Sequence, residues 1–345
     1  VKLQTKPTNK TTPNNSTTRK YSIILGNLGN TRDRFCAGYK EPLDSLTTLR
    51  QAAQIPQVKG VELVGSWDVA RDNVDDLKEF LTDLDLECVS IIPDLFTLRE
   101  YGKGSFASCE PRIRQMALDH TREMCEIASQ LGCSMLNVWP GQDGYDYLLC
   151  ADYEKGRTWF CEAMTSLARE FPAIRFALEY KPKEPRTHSY LARMADTLLM
   201  AMETGCENVG VSIDTGHAFV GGENVGESIV LAKRAGNRLF HMHFNDNHGC
   251  WDDDMIVGTV HSVCYLEMLY WLDRCGYAGW LSMDQYPYRE DAVRAVEESI
   301  LWLEQFDRIV TTHRAQMDDL VAACDPLATS RFLREVLANP PAQAL

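Results

Sequence analysis

The stretch from His241 to Gly258 reads H-M-H-F-N-D-N-H-G-C-W-D-D-D-M-I-V-G. It opens with alternation. Phe240, Met242 and Phe244 are apolar, which predicts a strand with His241 and His243 on its other face. The chain then leaves the strand through Asn245 and Asp246, turns at Gly249, and presents Asp252, Asp253 and Asp254 in a row. Two imidazoles facing one way, with carboxylates within loop reach, are the donors of a divalent metal site. Alone, the stretch also fits a solvated acidic loop behind a structural histidine, so further ligands have to come from elsewhere in the chain.

Composition narrows the field. The chain of 345 residues is 45% hydrophobic and 24% charged, the balance of an ordinary globular protein with a large core. Its formal net charge of −14 argues against nucleic acid and acidic membrane surfaces as partners. The 12 cysteines are scattered with no C-x-x-C pair, which predicts reduced, mostly buried thiols in a cytoplasmic protein. No run is long and apolar enough to span a membrane, and the N-terminus carries no secretory apolar region.

The elements that must position the ligands follow from periodicity. Strands are predicted at Tyr21–Leu25, Gly60–Val64, Glu87–Ile92, Ser134–Trp139, Arg175–Glu179, Val209–Asp214, Leu239–Phe244 and Trp280–Asp284. Helices are predicted between and after them, at Leu43–Gln54, Val74–Leu84, Pro111–Leu131, Tyr153–Glu170, Ser189–Thr204, Val225–Ala235, Ser262–Arg274 and Ala292–Asp307. Strand then helix, repeated around the chain, predicts a single α/β domain of the (β/α)8 TIM barrel type over residues 21–310. A doubly wound sheet is the rival, but no G-x-G-x-x-G follows a strand. Residues 1–20, rich in Thr, Asn and Lys, read as a disordered extension or a trimmed leader. Residues 311–345 read as a C-terminal helical extension packed on the barrel or on a neighbouring subunit.

Chemistry in such a barrel sits at the C-terminal ends of the strands. The fourth strand ends at Trp139. The fifth ends at Glu179 with Lys181 two residues on, the sixth at Asp214 with His217 three residues on, the seventh at His243 and the eighth at Asp284. Three acids and a histidine thus converge from four consecutive strands. Oxygen-rich ligation with one imidazole suits Mg²⁺, Mn²⁺ or Co²⁺ better than Zn²⁺. If the loop after the seventh strand turns back, His217, Asp252 and Asp254 form a second set with Asp214 shared, giving one or two divalent ions per subunit.

These residues carry a resemblance. F-A-L-E-Y-K-P-K-E-P-R (Phe176–Arg186), D-T-G-H (Asp214–His217), D-D-D-M-I-V-G (Asp252–Gly258) and D-Q-Y-P-Y-R-E-D (Asp284–Asp291) resemble the metal-binding segments of the xylose isomerase-like barrels. D-L-F-T (Asp94–Thr97) and N-V-W-P-G (Asn137–Gly141) are similar to the segments whose Phe and Trp wall the sugar pocket. His243 replaces the Asp of xylose isomerases, as in the L-rhamnose isomerase and sugar epimerase branches. The resemblance implies a structural metal on Glu179, Asp214, His243 and Asp284, and a catalytic metal on Asp214, His217, Asp252 and Asp254. It implies that Lys181 bonds the substrate carbonyl, that a water held by Asp254 takes the hydroxyl proton, and that Phe96 and Trp139 stack on the sugar. It also implies a homodimer or homotetramer.

The departures concern the substrate end. Val64 and Trp67 stand where a ring-opening His and its Asp are expected, Gly26 and Asn27 where a pocket Trp is expected, and Tyr286 where a Lys follows the last acid. The expected activity is therefore metal-dependent interconversion of an aldose and a ketose by hydride shift, on a carbohydrate other than D-xylose. An epimerase with Glu179 and Asp284 as paired bases, or a carbon–carbon or C-glycoside lyase on the same barrel, are the alternatives. With Val64 unable to open a ring, His248 is the expected substitute, because it lies on the mouth side and an imidazole is the side chain suited to proton shuttling. Glu62, on Val64's face, is expected inside the barrel.

Overall fold

This computed structural model describes residues 19–29, 36 and 38–338. Eight parallel strands close into a barrel in chain order: Lys20–Ile24, Val58–Val64, Glu87–Ile92, Met135–Val138, Arg175–Glu179, Val209–Asp214, Leu239–Phe244 and Trp280–Met283. The first strand pairs with the eighth, from Lys20 against Trp280 to Ile23 against Met283, which closes the ring. The expected (β/α)8 fold is present.

Period-two alternation explains why these segments form barrel strands. In Val209–Asp214, Val209, Val211 and Ile213 belong to the main apolar core, which packs against the helices, and Gly210, Ser212 and Asp214 alternate with them. In Leu239–Phe244, Met242 and Phe244 belong to that core, and His241 and His243 alternate with them. The barrel interior is layered differently from the outside. Val89, Met135, Ala177 and Trp280 form one small apolar cluster, and Ile24, Val64 and Ile92 another. Buried polar side chains, including Ser22, Glu62, Ser90, Asn137, Ser212, His241 and Ser282, belong to the same strands.

The helices begin where capping residues stop the preceding loops. Asp44, Asp152, Asn224 and Asp291 each accept a backbone N–H in the first turn of Ser45–Ala52, Tyr153–Glu170, Val225–Arg234 and Ala292–Ala323. Pro111 opens the helix Pro111–Leu131, and Gly132, with φ 75°, closes it. The helix starting at Ala292 runs past the expected boundary at residue 310 as far as Ala323, with non-helical dihedrals at His313. A last helix, Pro326–Ala338, packs Phe332 and Val336 back on the core.

Two further differences stand out. Of the 12 cysteines three are buried and five exposed, so the expectation of mostly buried thiols does not hold. The scattered thiols on helix and loop surfaces follow no core pattern. The disorder expected for residues 1–20 concerns positions mostly outside the described residues. Of the two described, Lys20 opens the first strand and Arg19 pairs with Asp307 at 2.9 Å. Among the described residues no helix is long and apolar enough to cross a membrane.

A short helix, Thr215–Val220, follows the sixth strand directly and was not anticipated from periodicity. Its second residue, Gly216, lies against Asn245 and Asn247 of the next loop. A Cβ there would come within 1.9 Å of Asn245 Oδ1. Gly216→Ala is therefore expected to destabilise the protein by about 1–3 kcal/mol, the range for overpacking. Urea unfolding measures it, and an unchanged midpoint would show that Asn245 can move aside.

Candidate active site

Asp214 is both the end of a strand and the cap of a helix. Its Oδ1 accepts the backbone N–H of His217 at 2.8 Å, which starts Thr215–Val220 and brings the His217 ring back over the strand end. Its Oδ2 accepts from Asn245 Nδ2 at 2.8 Å. Neighbouring strands bring the next donors level: Asp214 pairs in register with His243, and His243 with Ser282, two residues before Asp284. The loop after the seventh strand does fold back. Asp246 and Met255 exchange backbone hydrogen bonds of 3.0 and 2.8 Å, and the Asp246 carboxylate also holds the N–H groups of Val260 and His261. That clamp fixes the arm carrying Asp252 and Asp254.

Among the described residues three groups could hold a metal: Glu62 with His241 and His243, and two sets that share Asp214. Glu179, Asp214, His243 and Asp284 offer ligand atoms all within 4.8 Å of one another, and Asp214, His217 and Asp252 do the same, so Asp214 is common to both. In the first set His243 Nδ1 is 3.4 Å from Glu179 Oε2 and 3.2 Å from Asp284 Oδ2. In the second, His217 Nε2 is 3.1 Å from Asp252 Oδ2, while its Nδ1 faces Glu179 at 3.3 Å. Amides hold the carboxylates from behind: Asn137 donates to Glu179 at 2.5 Å and Asn27 to Asp284 at 3.2 Å.

The chemistry of these sets fits a divalent cation. His243 Nδ1, His217 Nδ1 and Asp252 Oδ1 are buried without a hydrogen-bond partner, although each lies among carboxylates or donors. Hard oxygen donors plus an imidazole per set suit Mg²⁺, Mn²⁺ or Co²⁺. Charge tells the same story. Burial, with Asp284, Asp252 and Glu179 close by, pushes the Asp214 carboxyl up to about 7 despite His217. Burial and the neighbouring Asp252 raise Asp254 well above the usual carboxylate range. Burial opposes charge on His217, but Asp214 and Asp252 overcome it and raise the imidazole to about 9. Protons thus take the places that a cation would fill.

Lys181 stands beside the second set, 2.8 Å from Asp252 and 2.9 Å from Glu184, with its ammonium 5.4 Å from the centre of the Trp139 ring. Burial works against its charge, yet Asp252, Glu184 and Asp254 hold its pKa well above the ordinary value. Phe96 packs on Trp139 at 4.6 Å and on Trp67 at 5.8 Å, and all three line a cavity of about 1180 Å³ at the barrel mouth. Lys181, Glu179, His217, Asp252, Asp254 and Asp284 line the same cavity.

Two expected residues fall elsewhere. Asp254 lines the cavity but joins neither donor set. Its backbone sits in the left-handed region, φ 50°, and its carbonyl is tied by the Tyr286 N–H at 3.0 Å. His248 is exposed and does not line the cavity, so the ring-opening role expected of it is not supported. The turn is the reason. Asn247 is pulled inward, donating to the Gly216 carbonyl at 2.9 Å and accepting from Gly249 N, and the next residue is left on the outside.

Asn137, Asn245 and Asn27 hold ligating carboxylates, and Glu62 meets His241 and His243, roles that the motifs do not assign. Their signal was an amide or acid at an inward strand position, or beside a strand end.

Comparison with known proteins agrees with this architecture. A family model described as xylose isomerase-like TIM barrel matches residues 49–306. The chain belongs to that family. Among curated relatives, the xylose isomerase of Thermus thermophilus is 27% identical over 292 residues, 81% of this chain and 73% of the relative. The solved structure of an L-ribulose 3-epimerase superposes with a TM-score of 0.69 at 15% identity, over 90% of this chain and all of the other. That of a D-psicose 3-epimerase with D-tagatose from Clostridium cellulolyticum H10 gives 0.67 at 16% identity, over 84% of this chain and 99% of the other. At these identities the two structures speak for the fold.

The raised carboxyl and imidazole predict a pH signature. His217, raised to about 9, contributes stability that is full below its unfolded value near 6.5 and is lost as pH rises through 9. Asp214, raised to about 7, binds its proton more tightly when folded, so its contribution also declines as pH rises, between about 4 and 7. The chelator-treated protein should therefore melt at lower temperature at pH 8 than at pH 6. Added Mn²⁺ should raise the melting temperature more at pH 8, because it displaces those protons. A metal-induced shift that is equal at both pH values contradicts this charge balance.

Proposed function

We propose that the protein is a divalent-metal-dependent sugar isomerase that interconverts an aldose and a ketose by a hydride shift between adjacent carbons. The observation that carries this reading is the sharing of Asp214 by two donor sets, with Lys181 beside the second set in one cavity. Cations held by Glu179, Asp214, His243 and Asp284, and by Asp214, His217 and Asp252, would supply Lewis-acid polarisation of the sugar carbonyl and hydroxyl oxygens.

The chain's own side chains do the rest. Lys181, kept charged by its acidic neighbours, donates a hydrogen bond to the carbonyl oxygen of the open-chain sugar and stabilises the negative charge that grows there. As hydride moves from the hydroxyl-bearing carbon to the carbonyl carbon, one proton has to pass from the first oxygen to the second. Asp254, which lines the cavity outside both donor sets, would hold that proton and return it. Trp139, Phe96, Ile92 and Val64 exclude water from the reacting carbons. Among the described residues lining the cavity His217 is the one histidine, and it belongs to the second donor set. Without a separate ring-opening base, a substrate other than cyclic D-xylose is favoured, taken up in open-chain form.

One observation favours a second reading. Glu179, at the end of the fifth strand, and Asp284, just after the eighth, lie 3.4 and 3.2 Å from the same His243 nitrogen. Two carboxylates at one centre could serve as paired bases for epimerisation, one removing a proton from a carbon and the other delivering one. Turnover in deuterium oxide separates the two. A hydride shift leaves the product carbons free of solvent deuterium, and substantial carbon-bound deuterium sinks the isomerase reading in favour of the epimerase. Lys181→Met should lower turnover by about two to three powers of ten, the effect of losing one preorganised donor, without weakening Mn²⁺ binding. Loss of metal along with activity would make Lys181 a structural partner of Asp252 instead.

A further inference from the structure

Taking the metal-dependent reading above, we propose that Glu62 is the positioning residue that makes His243 a metal ligand. It holds the Nε2 proton, so that Nδ1 meets the cation bare, and it supplies from behind the negative charge that a carboxylate at position 243 would have brought. Glu62 lies on the second strand, across the barrel from the seventh, and is completely buried. His243 Nε2 is 3.2 Å from its Oε1 and 3.4 Å from its Oε2, and His241 Nε2 is 2.8 Å from Oε1. The hydroxyls of Ser90 and Ser282 also donate to it.

An ionised carboxylate only accepts, so each of these four groups has to turn a hydrogen toward it. With its proton fixed on Nε2, a neutral His243 carries its lone pair on Nδ1. That nitrogen is the one facing Glu179 and Asp284, and it has no hydrogen-bond partner. A carboxylate behind a ligating imidazole raises the basicity of the ligand and fixes its orientation. Among the described residues no lysine or arginine pairs with Glu62. A buried carboxylate without a cation is costly to keep, so a role toward the neighbouring metal site explains its presence better than stability does. The rival explanation is a knot tying strands two, three, seven and eight, with His243 as one thread among four.

The two differ in what each bond is for, and Mn²⁺ affinity of folded protein, measured by calorimetry, reads the difference. In Glu62→Gln an amide N–H can face His243 Nε2 and favour the Nδ1–H tautomer, which cannot ligate. Its affinity should fall about 10- to 100-fold, the range for lost outer partners of metal ligands, while Ser90→Ala and Ser282→Ala stay within about twofold. Equal losses in all three variants, or an unchanged Glu62→Gln, overturn the proposal. Should Glu62→Gln not fold, long-range ¹H–¹⁵N spectra of Mg²⁺-loaded wild-type protein decide: the His243 proton is expected on Nε2, and a proton on Nδ1 overturns the assignment. Wild-type protein that binds no Mn²⁺ sinks the metal-dependent reading itself, a result distinct from failure of the Glu62 role alone.

Discussion

Repulsion among buried carboxylates is the constraint around which the barrel mouth is arranged. Glu179, Asp214, Asp252, Asp254 and Asp284 line or underlie one cavity, and Asp214 is fully buried. Two like charges 4 Å apart repel by about 4 kcal/mol at an effective dielectric of 20, so such a group would spread apart on a flexible loop. Eight paired strands prevent the spreading, because Glu179, Asp214 and His243 are fixed by ladders that continue through the core. The imidazoles of His217 and His243 and the ammonium of Lys181 relieve part of the repulsion. The remainder appears as protons retained by Asp214 near neutrality, and it is this residue of charge that a divalent cation can relieve.

Neutral amides set the spacing that charge alone could not. Asn137, Asn27 and Asn245 each donate to a different ligating carboxylate and bring no charge of their own. A lysine in any of these places would compete with the cation for the same oxygens. Asp214 gains most from the arrangement. One oxygen caps a helix and the other takes an amide, so both keep lone pairs for ligation while the carboxylate plane is held from two sides.

Much of this was legible in the chain because it is written at short range. The alternation in F-A-L-E, V-G-V-S-I-D and L-F-H-M-H-F marks strands and names the inward residue at each end. What escaped was set by loop direction or long-range closure. Asn247 and His248 are adjacent and both polar, and their burial differs only because the Gly216 carbonyl receives the first. Asp252 and Asp254 share one tripeptide, yet the first joins a donor set and the second, itself in the left-handed region, does not. Glu62 meets His241 and His243 across 179 and 181 residues, a contact created by barrel closure and invisible to any local pattern.

The mouth is also divided, and the division bears on how a sugar would lie in it. Strands five to eight contribute the acids, histidines and Lys181. Strands one to three contribute Ile24, Val64 and Ile92, with Phe96, Trp67 and Trp139 above them. A hydroxyl placed over the apolar side gives up its water partners without replacement, at about 1–3 kcal/mol for each unsatisfied group. The same hydroxyl over the ionic side finds acceptors or a cation. The carbonyl and its neighbouring hydroxyls are therefore drawn toward Lys181 and the donor sets, and C–H faces toward the aromatic wall. Orientation of the substrate thus comes from which half of the barrel repels hydroxyls as much as from which half binds them.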